Sequence, residues 1–378
     1  WGALVIVAFT MMAAYYVNDV VAPLKTMLET DLAWSSTDFG FFTGGYSFLN
    51  VFFLMLIWGG LILDRFGIRF TGKLATILMV GGTALEYYAM TGLAGADATL
   101  FGINEIFGYK TGVFVAFAGY SIFGVGAEVA GITVSKIIAK WFKGKELATA
   151  MGVQVALARI GSQAGYAVAI PLARAFGIST PVLLGLVLLL GGMIAFFIFA
   201  VMDKKLDKQM EAAAIAAGTE DEEEKFSFKD VKNILVNPGF WLIALLCVLF
   251  YSCVFPFQKF ASELMIIKYG INENVAGTFA GLPALGALIL TPVFGGFIDK
   301  RGKSASIMLL GSAMLICVHF IYAIPDINYW LVAIVLMIIL GIAFSLVPSA
   351  MWPAVAKIFP VSQLGTAYAL IFFIQNIG

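Results

Sequence analysis

Gly59-Gly60-Leu61-Ile62-Leu63-Asp64-Arg65-Phe66-Gly67-Ile68-Arg69 closes one apolar stretch of the chain, and Gly295-Gly296-Phe297-Ile298-Asp299-Lys300-Arg301-Gly302-Lys303 closes another. In both copies a glycine stands four residues before a carboxylate, a cation follows the carboxylate directly, and a turn glycine comes three residues after it. A second glycine adjoins each copy. Such a grouping at one spacing in two places reads as duplication of a structural unit. Asp64 is placed to meet the positive N-terminal end of a neighbouring helix or a nearby cation, a contact able to hold one end of a molecule shut. The plainer alternative is that Asp64 and Asp299 only cap turns.

Composition sets the environment. Of 378 residues, 61% are hydrophobic and only 12% charged, about half the charged share of a soluble domain. A soluble fold of this size has no place for so much apolar surface, so the chain reads as a polytopic membrane protein. A net charge of zero lacks the basic footprint of a nucleic-acid binder. Cys247, Cys253 and Cys317 lie in apolar segments, without metal-ligand spacing or a disulfide framework, and read as core residues. The first apolar segment has no small-residue cleavage site and reads as a spanning helix rather than a signal peptide.

Apolar segments of spanning length fall near 2–28, 37–62, 70–91, 111–139, 146–173 and 179–202. A polar stretch then runs from Asp203 to about Asn237, and further segments lie near 239–267, 274–298, 304–324, 328–356 and 363–378. The pattern predicts an all-α membrane protein of two six-helix bundles, 1–202 and 238–378, joined by a cytoplasmic linker over 203–237. The second bundle is expected to be truncated in its fifth helix, the eleventh of the chain. Cations gather on one side: Arg65, Arg69 and Lys73; Lys140, Lys143 and Lys145; Lys204, Lys205, Lys208, Lys225, Lys229 and Lys232 in the linker; and Lys300, Arg301 and Lys303. The positive-inside bias makes this side cytoplasmic. The opposite connections carry Asp31, Asp38, Asp97, Glu105 and Asp326. In the linker, the acidic run Glu220–Glu224 is a solvated connector or a regulatory tail, and Phe226 to Val236 reads as a short amphipathic helix on the membrane surface.

Glu128 and Arg159 stand inside otherwise apolar segments, fifteen residues before and sixteen after Lys143 (143 − 128 and 159 − 143). In helices, both lie ~23 Å from the turn at Lys143, within a hydrocarbon layer ~30 Å thick. A charge at that depth faces a partner, a cavity or a substrate. An acid and a guanidinium held at equal depth suit a zwitterion, the guanidinium gripping a carboxylate through two parallel bonds. A permanent Glu128–Arg159 salt bridge is the competing reading.

The duplicated motif within a six-plus-six hydropathy pattern resembles the loop signature of the major facilitator superfamily. That resemblance implies a site at the bilayer midplane between two halves that rock, with Asp64, Arg65, Arg69, Asp299 and Lys300 in gating roles. Trp141-Phe-Lys-Gly-Lys-Glu-Leu147 with Ala158-Arg159-Ile-Gly-Ser162, Val254-Phe-Pro-Phe257, and Trp352-Pro-x-Val-Ala356 with Gln363-Leu-Gly-Thr-Ala-Tyr368 and Ile374-Gln-Asn-Ile-Gly378 narrow the comparison. They resemble the major facilitator superfamily domain-containing protein 1 group, whose animal members are lysosomal carriers of dipeptides. The resemblance covers most of the chain and implies that Glu128 contacts a substrate ammonium and Arg159 its carboxylate.

Other candidates are Asn18 and Asp19, divided between cavity and helix-end roles. In related carriers an acid–amide pair occurs here in reversed order. Lys259 either receives a substrate carboxylate or pairs with Glu263, four residues on along the same helix face. Tyr16, Tyr46, Asn50 and Tyr251 lie on helices that line the cavity in this fold, and Trp352, Gln375 and Asn376 rest on the family blocks. Each is either cavity lining or packing. His319, the single histidine, reads as structural or lipid-side, and Glu86 as lying near the outer end of a peripheral helix. Glu128, and after it Asp19, remain as proton sites.

The expected function is secondary transport of dipeptides or similar small zwitterions by alternating access, as a uniporter or coupled to protons, with no cofactor. An organic-anion carrier would use Arg159 and Lys259, but gains nothing from a buried carboxylate beside its substrate. A membrane enzyme lacks the His/Asp cluster or metal spacing it needs, and a non-transporting sensor would not keep an intact charged pair. The expected partners are the bilayer and a small solute, with no nucleic acid, and the expected state is a monomer. No Asn-x-Ser/Thr sequon occurs, which favours a bacterial inner membrane over a lysosomal one.

Overall fold

The computed structural model describes residues 1–95, 98–142, 147–217, 228–359 and 361–377. Lys143, Lys145, Lys225 and the acidic run Glu220–Glu224 lie outside the described residues, as do the side chains of Asp64, Lys229, Asp299 and Gln363. Helices account for nearly all of the described structure. In the first half they are α1 (Gly2–Val20), α2 (Lys25–Asp31), α3 (Ser36–Phe52), α4 (Met55–Thr91), α5 (Thr111–Trp141), α6 (Leu147–Phe176) and α7 (Thr180–Ala217). After α8 (Phe228–Val236) come α9 (Pro238–Ile267), α10 (Glu273–Ala280), α11 (Leu282–Arg301), α12 (Ser304–Ala323), α13 (Trp330–Ile358) and α14 (Val361–Ile377). Among the described residues seven helical segments are long and apolar enough to span a membrane, and the bent pair α3 and early α4 makes an eighth.

Local chemistry explains where the spans depart from the hydropathy pattern. The first span continues through a 3-10 turn at Ala22–Leu24, set by Pro23, before α2. The second bends by 59° between Ser36–Phe52 and Met55–Leu63, at Leu54, whose φ of 54° is left-handed. The third starts as its own helix: within α4 the helical backbone breaks in a kink at Gly67, where φ is 75°. That value suits glycine and explains the turn glycine of the first repeat. The stretch from Asp203 to Ala217 is not linker but the last turns of α7. The eighth span is divided into α10 and α11 at Gly281, with Pro283 in the first turn of α11.

Ser35 caps α3 through a reciprocal box with Asp38, its hydroxyl accepting from the Asp38 amide at 3.1 Å and its amide donating to the carboxylate at 2.8 Å. The loop between α4 and α5 carries a small hairpin, β1 (Glu105–Ile106) paired antiparallel with β2 (Tyr109–Lys110). Its turn holds Phe107 and Gly108 at φ 52° and 80°, the two positive φ values that such a turn demands.

One core of buried side chains joins α1 to α7, running from Ala3 to Phe199. A second runs from Ile234 to Ile371 and takes in Ala22 and Tyr166 from the first half. Helices α4 and α5 lie in backbone contact. A Cβ at Gly82 would fall 2.5 Å from the Gly119 carbonyl oxygen and against the Phe123 amide. Without a hydrophobic drive between membrane helices, such small-residue contacts let dispersion hold them together. Gly82→Ala should therefore lower stability by ~1–3 kcal/mol through overpacking. Gly81→Ala, where an added Cβ meets nothing within 4 Å, should change it by less than about 0.5 kcal/mol. Thermal unfolding of both variants in detergent checks the contrast.

Candidate functional site

Arg159 rises from the middle of α6, half-buried, with its guanidinium between two rings. Tyr15 of α1 lies 5.5 Å away and Phe344 of α13 lies 5.0 Å away, one from each half of the molecule. Glu128 of α5 does not pair with it: no ion pair joins the two among the described residues. Glu128 instead accepts a hydrogen bond from the Tyr46 hydroxyl at 3.0 Å and has Asn376 of α14 beside it. Tyr15 lies where the charges of Arg159, Glu128 and Asp19 all reach it. Acid and guanidinium thus face one region while each keeps its own support. Planar stacking suits a guanidinium, which is weakly hydrated and keeps its N–H edge free for an oxyanion.

Toward the end opposite the linker, the two halves are joined by charge. Lys259 of α9 donates to the Asn18 carbonyl of α1 and to the Tyr120 hydroxyl of α5 at 3.0 Å, with the Asp19 carboxylate 3.8 Å away. Tyr120 in turn donates to the Asn18 carbonyl at 2.8 Å, and the Asn18 amide bonds Asp19 at 2.9 Å. Nearer the rim, the buried Lys25 ammonium pairs with Glu263 of α9, with Glu29 at 2.7 Å, and with the Ser36 hydroxyl at 2.8 Å. Arg174 of α6 pairs with Glu273 and donates to Asn274 at 2.8 Å. Tyr166 adds a bond to the Gln258 carbonyl at 3.2 Å. Among the described residues, polar bonds between the halves lie at this end or near mid-depth, where Ser47 and Asn376 stand 3.4 Å apart. None lies at the linker end.

At the linker end the first half is tied to itself. Asp203 of α7, fully buried, takes Arg69 at 3.1 Å, Lys140 at 2.9 Å and the Trp141 indole N–H at 3.0 Å, and Asp207 pairs with the same two cations. Arg69 is thus engaged within its own half. Arg65 lies exposed over the Phe66 ring at 5.7 Å, and Lys300 is exposed.

Several expectations need correction. Tyr16 does not line the seam: its hydroxyl bonds the Pro181 carbonyl of α7 at 3.2 Å and its ring packs against Gly185. Tyr15, Asn18 and Asp19, three and four residues apart, share the seam-facing side of α1. That spacing was the available signal for Tyr15, and it also leaves Tyr16 out. Lys259 does not pair with Glu263; each finds a partner in the other half. Glu86 is not peripheral but fully buried. Asn50 is buried and turns its amide back to the Tyr46 carbonyl at 3.3 Å. Tyr251 stacks on Phe255 at 5.1 Å, and Trp352 stacks on Phe372 at 4.8 Å, its carbonyl accepting from Tyr368 at 3.0 Å. Gln375 meets the Cys247 thiol at 3.8 Å. His319 bridges α12 to α9, one ring nitrogen 3.1 Å from the Cys253 carbonyl. Phe344, Lys25 and Arg174 join the site with no distinguishing pattern in the sequence.

Polar bonds thus join the two bundles at one end, while Glu128 and Arg159 keep separate supports. The protein is a multi-pass integral membrane transporter and not an enzyme. The chain belongs to the Major Facilitator Superfamily, whose family model matches residues 4–378. It is 29% identical over 389 residues to the human protein named lysosomal dipeptide transporter MFSD1, covering 99% of this chain and 76% of that one. The zebrafish (Danio rerio) protein of that name is 28% identical over 386 residues, covering 99% and 77%. Among solved structures, a D-xylose–proton symporter superposes with a TM-score of 0.69 at 17% identity, covering 100% of this chain and 87% of that one. A bacterial homologue of the human lysosomal transporter Spinster superposes with a TM-score of 0.65 at 15% identity, covering 99% and 79%. These two similarities bear on the fold.

Removing one partner of a buried ion pair costs about 3–5 kcal/mol because it strands the other charge. Lys25→Met leaves Glu263 and Glu29 unmatched and should shift the molecule toward a state open at this end. A Ser262→Cys reporter, buried in the closed structure, should then react several-fold faster with a membrane-impermeant maleimide in a background without the three native cysteines. Unchanged labelling would show that Lys25 is no latch.

Proposed function

We propose that this transporter carries dipeptides or similar small zwitterions, with Glu128 receiving the ammonium and Arg159 the carboxylate. The observation that carries this reading is the arrangement at Arg159: a half-buried guanidinium held between the Tyr15 and Phe344 rings with no carboxylate partner among the described residues. A permanent internal salt bridge would have spent both charges on each other. With Glu128 supported by Tyr46 and Arg159 by two rings, a solute can supply both missing countercharges at once. The curated relatives named as dipeptide transporters support the same solute class. Tyr46 and Asn376 stand at Glu128, and Tyr15 and Phe344 at Arg159. Lys259 serves the closure at the opposite end in this conformation rather than the solute. A small-carboxylate carrier would satisfy Arg159 but leave Glu128 facing the solute's negative charge, so the zwitterion is preferred.

Losing one partner of a desolvated charge pair costs at least ~2 kcal/mol, or roughly 30-fold. Glu128→Gln and Arg159→Lys should each reduce dipeptide counterflow in liposomes at least that far while their melting temperatures stay near wild type. N-acetylated dipeptides, which lack the ammonium, should be poor substrates of the wild type and no worse in Glu128→Gln. Normal dipeptide uptake by both variants would refute the charge clamp.

Asp64 and Asp299 retain a gating role in this reading, from their duplicated position. Asp64→Asn should slow exchange across the membrane more than it weakens solute binding, measured by counterflow rate beside a thermal-shift titration. A change confined to affinity would remove Asp64 from the gate.

A further inference from the structure

Glu86 is fully buried on α4, and among the described residues neither of its carboxyl oxygens has a hydrogen-bond partner. Its enclosure is built into the packing. Helices α4 and α5 touch through Gly82 and Gly119, and a Cβ at Gly119 would lie 2.9 Å from the Glu86 amide nitrogen. The next residue on α5 is Tyr120, which the charge of Glu86 reaches. From α9 the charge of Lys259 also reaches Glu86. Behind Tyr120 stand Asp19 of α1 and Tyr166 of α6. Among the described residues, α3 and α7 bring no charged group whose field reaches it.

Lys259 does not satisfy it. An ammonium has three hydrogens, and these are directed at the Asn18 carbonyl, the Tyr120 hydroxyl and, 3.8 Å away, Asp19. The Tyr120 hydroxyl hydrogen is taken by Asn18. An ionised carboxylate with no donor is among the costliest groups to bury, whereas the neutral acid is tolerated. Glu86 therefore fits this closed arrangement as a protonated acid.

The wall around Glu86 is mixed in origin. Tyr120, Asn18 and Asp19 belong to the first half, and Lys259 to the second. When the halves part at this end, Lys259 leaves with α9, water takes its place, and Glu86 is free to ionise. We propose that Glu86 is a proton-binding site behind the outer closure, taking one proton from the outer aqueous side as the halves close around Lys259 and returning it to that side when they part. The site is distinct from Glu128 and Arg159 and does not depend on which solute they receive. One proton goes on and the same one comes off, so closure is proton-dependent while no proton crosses the membrane.

The test uses the full chain in lipid nanodiscs without solute. Spin labels at Thr30→Cys and Asp326→Cys, both exposed at the outer end, report its opening by pulsed electron resonance in a background free of native cysteines. In the wild type the long-distance population should grow as pH rises from about 5 to about 8, across the range above an ordinary glutamate pKa, by at most about tenfold per pH unit for one proton. Glu86→Gln and Glu86→Leu should hold the short distance throughout. A wild type indifferent to pH overturns the proposal. So does a Gln variant that follows the wild type, which assigns the titration to Asp19, Glu29, Glu263 or Glu273. A second measurement needs no variant: the closed wild type at about pH 7, where an ordinary glutamate is ionised, should show the infrared carbonyl stretch of a protonated carboxyl group shielded from deuterium exchange. Its absence would also overturn the proposal.

Discussion

The closed end depends on Lys259 finding all of its partners in the other half. Its ammonium sits among a backbone carbonyl, a phenol and a carboxylate contributed by α1 and α5. A charge in hydrocarbon is tolerated only while it is matched, so α9 can leave the first half only if Lys259 is rehydrated. One turn further along α9, Glu263 has the mirror-image need and is met by Lys25. Lys259 and Glu263 are spaced to pair with each other along their own helix. A pair of that kind near water contributes only a few tenths of a kcal/mol. Reaching across the seam instead turns two local charges into contacts between the halves, which hold only while the halves sit as they do here.

The same economy of partners makes the centre available. Because Lys259 holds Asp19, Asp19 does not compete for Arg159. Because Tyr46 supports Glu128, Glu128 need not swing to Arg159 either. Aromatic faces offer the guanidinium attraction without occupying its hydrogen-bonding edge. Contrast the linker end, where Arg69 and Lys140 are saturated by Asp203 and Asp207. That cluster lies wholly within the first half. It binds α4, α5 and α7 together, so a movement of one half against the other need not break it.

The architecture was legible because it is written in segment length and in a repeated turn. Gly67 does adopt the positive φ that its place in the motif demanded, and the charges of Glu128 and Arg159 both reach Tyr15. The side chains that complete the site were less legible for definite reasons. Helical phase separates Tyr15 from Tyr16, but in an apolar helix nothing in composition says which face meets the seam. Lys259 with Glu263 satisfies the rule for a local pair, and only tertiary geometry diverts both. Glu86 was misread because hydropathy gives its depth and not its enclosure, which is set by glycines on two helices. Asp203 and Asp207 looked like linker because charge ends an apolar run whether or not the helix ends. Phe344 has no sequence signature, since a phenylalanine that holds a guanidinium is spelled like one that packs.

A solute that bound both arrangements equally would shift nothing, however tightly it was held. Transport requires contacts that depend on how the halves sit. Glu128 and Arg159, proposed to hold the solute, both belong to the first half, and so do Tyr46 and Tyr15. The second half brings Phe344 against Arg159 and Asn376 beside Glu128, an aromatic ring and an amide rather than charges. Under the proposed assignment, the solute's charges are matched by one half in either arrangement, while the other half adds or withdraws groups with small desolvation costs. That division suits a carrier that must release what it binds: the strong, charge-matched part of binding stays constant, and the part that changes on rocking is weak enough to reverse.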